Sequence, residues 1–284
     1  MLKSKKSGFL AVFPLAWMVV FFVVPTVLVI LMSFMKRGTY GETLPVFTLE
    51  HYGRLFDGLY ARILLDSLAV AVLTTALCLL AGYPLAYHIS RQERRRQRIW
   101  LMLIMLPFLI NFLIRSYAWV ILLRAQGVVN TVLIKLGLIG KPLPLLYNDG
   151  AVLLGMVYGL LPFMVLPVYI ALERADRRKL EAAYDLGATP LRAFWHVTLP
   201  LTIPGVLTGV TLVFVSSVGM FVVPEVMGGA QSALIGNVIQ NQFLSARNWP
   251  FGSALSVILT LVSLAMIALL YRAFRTAGRE ERPR

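Results

Sequence analysis

Charge is scarce in this chain: only 14% of its 284 residues are Asp, Glu, Lys or Arg, against 58% hydrophobic residues. A soluble domain keeps roughly a quarter to a third of its surface charged, so the composition excludes an ordinary water-soluble globule. Acids are scarcer than bases, 13 against 27, and the net charge is +14. Cysteine occurs once, as Cys78. That excludes an intrachain disulfide and leaves a small packing residue within a hydrophobic run. The three histidines, His51, His88 and His196, are scattered rather than set at metal-ligand spacing, so no metal site is expected. No G-x-x-x-x-G-K-[ST] stretch occurs. Nothing here cradles nucleotide phosphates, and no catalytic residue is assigned.

Long apolar runs stand where charge is missing. Uncharged stretches cover residues 9–35, 67–90, 151–172, 193–224 and 248–271, and a sixth, 99–123, is interrupted only by Arg115. Each reaches or exceeds the ~20 residues that cross a hydrocarbon core of ~30 Å as a helix. The expected fold is an all-α membrane protein. Its single domain, 1–284, would hold six transmembrane helices at about 9–35, 67–90, 99–123, 151–172, 200–224 and 250–272. The first run follows Lys3, Lys5 and Lys6 but is 27 residues long, beyond the ~7–15 of a signal-peptide core, and no small-residue cleavage site closes it. The stretch 226–246 is also uncharged, yet it carries Gln231, Asn237, Gln240, Asn241 and Gln242. Such polarity suits an interfacial helix over about 227–248 better than a seventh span facing lipid. Leu234, Ile235, Val238, Ile239 and Phe243 give that helix an apolar stripe.

Basic residues orient the spans. With the N-terminus inside, 18 of the 27 fall in segments assigned to the cytoplasm and 8 in those assigned outside, Arg115 being the other. The groups are Lys3 to Lys6, Arg91 to Arg98, Arg174 to Arg192 and Arg272 to Arg284. An excess of Lys and Arg marks the cytoplasmic side, which places both termini there. These clusters lie at span ends, where anionic lipid accounts for the net charge, so no nucleic-acid partner is expected.

This orientation puts "EAAYDLGATPLRAFWHVTLP", residues 181–200, in the cytoplasm between the fourth and fifth spans. A helix begun near Arg177 is expected to end at Leu186, with Gly187 supplying a left-handed cap. Thr189 followed by Pro190 reads as an N-cap with proline at the first helical position, starting a second short helix through His196. Pro200 then begins the fifth span. Ala182 and Ala183 leave room for a partner to approach closely, and Glu181 and Asp185 share one face. The whole reads as a docking element.

Its spacing resembles a family signature. E-A-A, three residues, Gly, nine residues, an aliphatic residue, one more, then L-P is the mark of the permease subunits of bacterial ABC importers. Here it is carried by Glu181, Ala182, Ala183, Gly187, Val197, Leu199 and Pro200, with Val197 where isoleucine is usual. "FTLEHYGRLFDGLY" (47–60), "LPFLINFLIRSY" (106–117), "VYGLLPFMVLPVY" (157–169) and "MGGAQSALIGNVIQNQFLSARNWPFGSA" (227–254) resemble the permeases of spermidine/putrescine importers in that family. The resemblance implies the type I importer permease fold in a bacterial inner membrane, with residues 177–200 seated in a cleft of an ATP-binding subunit. It also implies the partners: a second related permease, two ATP-binding subunits and a periplasmic or lipid-anchored polyamine-binding protein. ATP would be held by the partner, and no cofactor by this chain.

A polyamine sets its own chemical demands. An ammonium leaving water needs carboxylates or aromatic faces in exchange. The acids near membrane depth are Asp66, Asp149 and Glu225, all at outer span ends. Glu225 follows Pro224 at a break in the fifth span, and the similar polyamine permeases carry an acid at the matching position. It either meets substrate, or caps the next helix or pairs with Arg247. Tyr117, Trp119, Tyr158, Phe163 and Phe221 are candidates to stack on amine stems, against the reading that a Tyr or Trp near a span end anchors it at the interface. Asn111 and Arg115 lie one turn apart in the third span. Arg115 repels a polyamine and is read as structural, paired with an acid on the other permease. That cation keeps an anionic or metal-chelate substrate open as an alternative. A self-contained secondary transporter would instead carry coupling-ion carboxylates inside the spans, the reverse of what is seen.

Overall fold

The computed structural model describes residues 14–56, 58–229 and 232–280. Lys3, Lys5, Lys6, Gln231, Arg282, Arg284 and the first residues of the run 9–35 lie outside the described residues. Among the described residues six helical stretches are long and apolar enough to cross a membrane: Pro14–Ser33, Gly58–Ser90, Phe112–Lys135, Asp149–Arg174, Pro190–Val218 and Trp249–Arg272, spans one to six in chain order. The chain divides into two compact units, Met1–Arg62 with Val238–Leu261, and Ile63–Asn237 with Val262–Arg284.

In the smaller unit the first span exposes Trp17, Phe21, Phe22 and Leu28, apolar surface suited to lipid. A two-stranded antiparallel hairpin follows, Met35–Arg37 with Thr43–Phe47. It is tied down by His51, whose Nε2 lies 3.0 Å from the Met35 carbonyl, and by Arg37, which donates to the Ala246 carbonyl at 2.9 Å. Phe251, fully buried, receives the edge of Tyr60 at 5.0 Å and the Arg54 guanidinium at 4.8 Å. His51 is thus a packing residue.

The larger unit is built on spans four and five. Gly205 faces the Pro167 carbonyl and Gly209 faces Met164 so closely that an added Cβ would overlap them. Small residues let helices approach where the hydrophobic effect between spans is absent. Cys78, Tyr83, Ala86 and Ile89 of the second span close this core with Leu160, Met164, Val168, Val206 and Val213. Within it Tyr83 Oη and Thr202 Oγ1 are hydrogen-bonded at 2.9 Å. A second cluster gathers Leu123, Ala151, Val152, Met156, Val223 and Met227.

Several stretches depart from the sequence expectation, two of them at prolines. The run 99–123 is divided into helices Arg94–Leu109 and Phe112–Leu123 by two extended residues, Ile110 and Asn111. Pro107 removes one ladder donor there, and Asn111 Oδ1 accepts from Leu113 N–H at 2.9 Å to start the next helix. The fifth span begins ten residues before Pro200, at Pro190, and passes through the proline without a break. A π turn at Phe194–Thr198 makes this possible, with Leu199 N–H bonding the Phe194 carbonyl. The widened turn moves backbone away from a ring that would otherwise clash with the carbonyl four residues back. A second π turn, Val19–Val23, precedes Pro25 in the first span.

Candidate functional site

The loop between spans four and five is fixed by local hydrogen bonds. Asp176 Oδ1 accepts from Arg178 N–H at 3.0 Å and caps the helix Arg177–Asp185. That helix ends when Gly187 takes φ +80°. Ala188 N–H then bonds the Ala183 carbonyl and Gly187 N–H the Tyr184 carbonyl, both at 2.9 Å. This double closure is the Schellman arrangement, and it needs a left-handed residue at 187. Thr189 Oγ1 accepts from Arg192 N–H at 3.4 Å, with Pro190 at the first helical position. The cap, the turn and the restart all fall where the residues place them.

Glu181, Ala182, Asp185 and Gly187 are exposed and Ala183 nearly so. Beside them stand side chains that the sequence did not single out: Leu186 is 89% exposed, Leu191 69% and Trp195 56%. An exposed apolar group of this size is a candidate interaction surface. The signal was present as Leu186-Gly187 and Leu191 within a polar stretch, but amphipathicity alone does not say which apolar face stays uncovered. On the other side Ala193 is buried, and Phe194 meets the edges of Tyr83 and Tyr87 at 5.7 and 5.8 Å. Leu199 and Pro200 lie within the continuous helix Pro190–Val218. The helix that carries Leu191 thus runs unbroken into the fifth span, and Phe194 contacts the second span.

At its far end the fifth span stops at Val218 with Gly219 as its C-cap. The break falls at Gly219–Phe221, ahead of Pro224, which opens a third π turn, Pro224–Gly228; proline suits a first turn because its missing N–H has no partner there. Phe221 and Glu225 are brought together here: Glu225 N–H and Asn237 Nδ2 both donate to the Phe221 carbonyl, at 3.0 and 2.9 Å. The Glu225 side chain and the Phe221 ring are exposed, while Asn237 Oδ1 is buried without a partner among the described residues. Asp149 differs, because Ser232 Oγ donates to its carboxylate at 2.6 Å. The polar helix expected over 227–248 is shorter, Ile235–Leu244, since Gly228 and Gly229 belong to the turn before it.

Arg115 and Tyr158 meet beside the break in the third run, where Arg115 N–H donates to the Asn111 carbonyl at 3.1 Å. Arg115 is 8% exposed, donates to the Pro107 carbonyl at 3.0 Å, and has its guanidinium 5.1, 5.6 and 6.0 Å from the rings of Phe112, Tyr158 and Phe108. Within its own chain, among the described residues, its partners are aromatic faces and a carbonyl. Tyr158 turns a face to this cation and meets the edge of Trp119 at 5.3 Å. Tyr117 is 53% exposed and stands apart from the group. Phe112, Met156, Val223 and Met227 share one apolar cluster, which joins this break to the turn that carries Glu225. Among the described residues no group of three or more His, Cys, Asp or Glu is placed to hold a metal.

Comparison with known proteins bears on the family and the fold. Residues 2–277 match the family described as binding-protein-dependent transport system inner membrane component. The chain is 43% identical over 266 residues, 93% of each chain, to the spermidine/putrescine transport system permease protein PotB of Haemophilus influenzae. It is 42% identical over 264 residues to PotB of Escherichia coli strain K12, covering 93% of this chain and 96% of that one. In fold it is similar to a chain of a bacterial ABC transporter involved in the import of the acidic polysaccharide alginate, with TM-score 0.78, 17% identity and 98% of both chains covered.

Proposed function

The chain belongs to the family of binding-protein-dependent transport system inner membrane components, and from that premise we propose that it is a permease subunit of an ATP-driven importer of spermidine and putrescine. The observation that carries the proposal is the loop 177–200: a capped, double-closed turn with exposed apolar side chains, continuous with the fifth span. The substrate class rests on similarity to the two permeases named for spermidine/putrescine transport and on the exposed carboxylate of Glu225 beside Phe221. Both termini and the loop face the cytoplasm, as the distribution of basic residues favours.

The subunit itself makes and breaks no bonds. It pairs with a second permease and two ATP-binding subunits, and a loaded binding protein docks on the outer face. Closure of the ATP-binding pair presses on Glu181 to Leu191. The rigid helix Pro190–Val218 carries that movement to the outer break at Gly219–Phe221, so the bundle alternates between inward-open and outward-open forms. A polyamine ammonium meets Glu225 and the face of Phe221 on entry, then passes Asn111, Tyr117 and Tyr158. A membrane potential inside negative assists by ~2.3 kcal/mol per charge per 100 mV, while ATP makes the step directional.

The test is ATP-dependent uptake of labelled spermidine into proteoliposomes that hold the full complex. Glu225→Gln is expected to lower uptake at least tenfold with basal ATP hydrolysis intact. Asp149→Asn, whose carboxylate is occupied by Ser232, retains transport. Wild-type complex that takes up no polyamine refutes the substrate class and leaves the permease role standing.

A further inference from the structure

We propose that the groove between the loop-proximal ends of spans four and five is a binding site for an anionic phospholipid. The groove has a volume of about 580 Å³, within the roughly 300–1,000 Å³ of small-ligand sites. Its floor is apolar, formed by Ile170 and Ala171 of span four and Leu201 and Pro204 of span five. Arg174 and Lys179 stand at its rim, where the fourth span ends and the loop begins. Both are exposed, and no carboxylate among the described residues is paired with either. Asp176 also lines the rim, and its carboxylate is taken up in capping the Arg178 N–H.

The profile along the span axis identifies the occupant. The floor lies in helices long and apolar enough to cross a membrane, while Arg174 is the last residue of one of them and Lys179 lies beyond it. A helix from a neighbouring chain would cover the floor but would need an acid at one height to meet the two cations. A phospholipid has both parts in that order, an acyl chain at membrane depth and an anionic phosphate at the surface. Basic pockets between transmembrane helices take such headgroups. Gly205, itself a lining residue, packs closely on Pro167 and Ala171, so spans four and five meet along the base of the groove. A lipid seated here touches both the end of span four and Lys179 of the loop helix, and so sits against the element that moves. The proposal needs only that these span ends lie in a bilayer, and it does not depend on the transported substrate.

The experiment uses the assembled complex in phosphatidylcholine nanodiscs doped with phosphatidylglycerol that carries a photoactivatable group on its acyl chain. Labelled peptides are mapped by mass spectrometry. Label is expected in residues 167–176 and 201–208, displaced by unlabelled phosphatidylglycerol and not by phosphatidylcholine. Arg174→Gln and Lys179→Gln should each reduce it about fivefold, the worth of one basic residue at an anionic surface. Ile170→Trp, which fills the floor and keeps both charges, should abolish it. Two results overturn the proposal. Equal competition by phosphatidylcholine would make the groove ordinary boundary surface, and no label in the assembled wild-type complex would mean that a neighbouring chain covers it. The competition arms use wild type alone and stand even where a variant fails to assemble.

Discussion

Replacing Gly187 with alanine isolates the turn that shapes the docking loop. The backbone there lies at φ +80°, and a methyl group added at 187 meets no atom within 4 Å. The whole cost is therefore conformational. Left-handed backbone costs an L-residue about 1–2 kcal/mol; asparagine, whose side chain tolerates that region, loses less, and a β-branched valine more. That energy acts on the population of loops in the docking shape. The apparent affinity of the ATP-binding subunit for the permease pair should thus fall about 5- to 30-fold in Gly187→Ala, less in Gly187→Asn and further in Gly187→Val. The assay is titration of the ATP-binding subunit onto the permeases in nanodiscs, with ATP-driven uptake measured on the same preparations. Membrane insertion should be unchanged, because residue 187 packs against nothing. The order Asn, Ala, Val is dictated by backbone alone. Equal affinity in all three would refute the claim that this turn presents the docking surface.

Leu186→Ala and Trp195→Ala remove side chains that are 89% and 56% exposed, so both variants should melt like wild type as isolated subunits. Each should weaken docking of the ATP-binding subunit about tenfold, in the range of anchors buried at an interface, as read by the same titration. Arg115→Met removes a guanidinium held by a carbonyl and three rings. Desolvated cation–aromatic contacts are worth about 2 kcal/mol or more, so the thermal midpoint of the detergent-solubilised complex should fall. Arg115→Lys should recover only part, since an ammonium lacks the planar fork; full recovery in lysine would mean that charge alone matters at this position.

Much of this was readable before any coordinates. The number of spans follows from uncharged runs longer than a bilayer is thick, a constraint that leaves few alternatives. The loop caps at Gly187 and Thr189 are local, each settled by a residue and its neighbours within five positions, and local chemistry survives folding. What depended on distant contacts did not come through. Ile110 and Asn111 lie in an apolar run with helical periodicity, and only the proline before them and the cap at Asn111 mark the division. The cradle around Arg115 was not legible because its three rings, Phe108, Phe112 and Tyr158, come from three separate helices. Pro200 looked like the start of a span because a π turn, which leaves no compositional mark, lets helix pass through it. The pairing of Asp149 with Ser232 likewise joins residues 83 positions apart.

The π turn at Phe194–Thr198 also fixes an angular phase. An α-helix turns about 100° per residue, so one residue more or less between Pro190 and Pro200 would swing Leu191 and the loop helix a quarter of the way around the axis of the fifth span. The loop would keep its own shape and yet present its face to empty water. Grafting this loop onto another permease is therefore a matter of register as much as of sequence, and the junction has to be chosen on the span side of Leu199, where the helix has returned to its ordinary pitch.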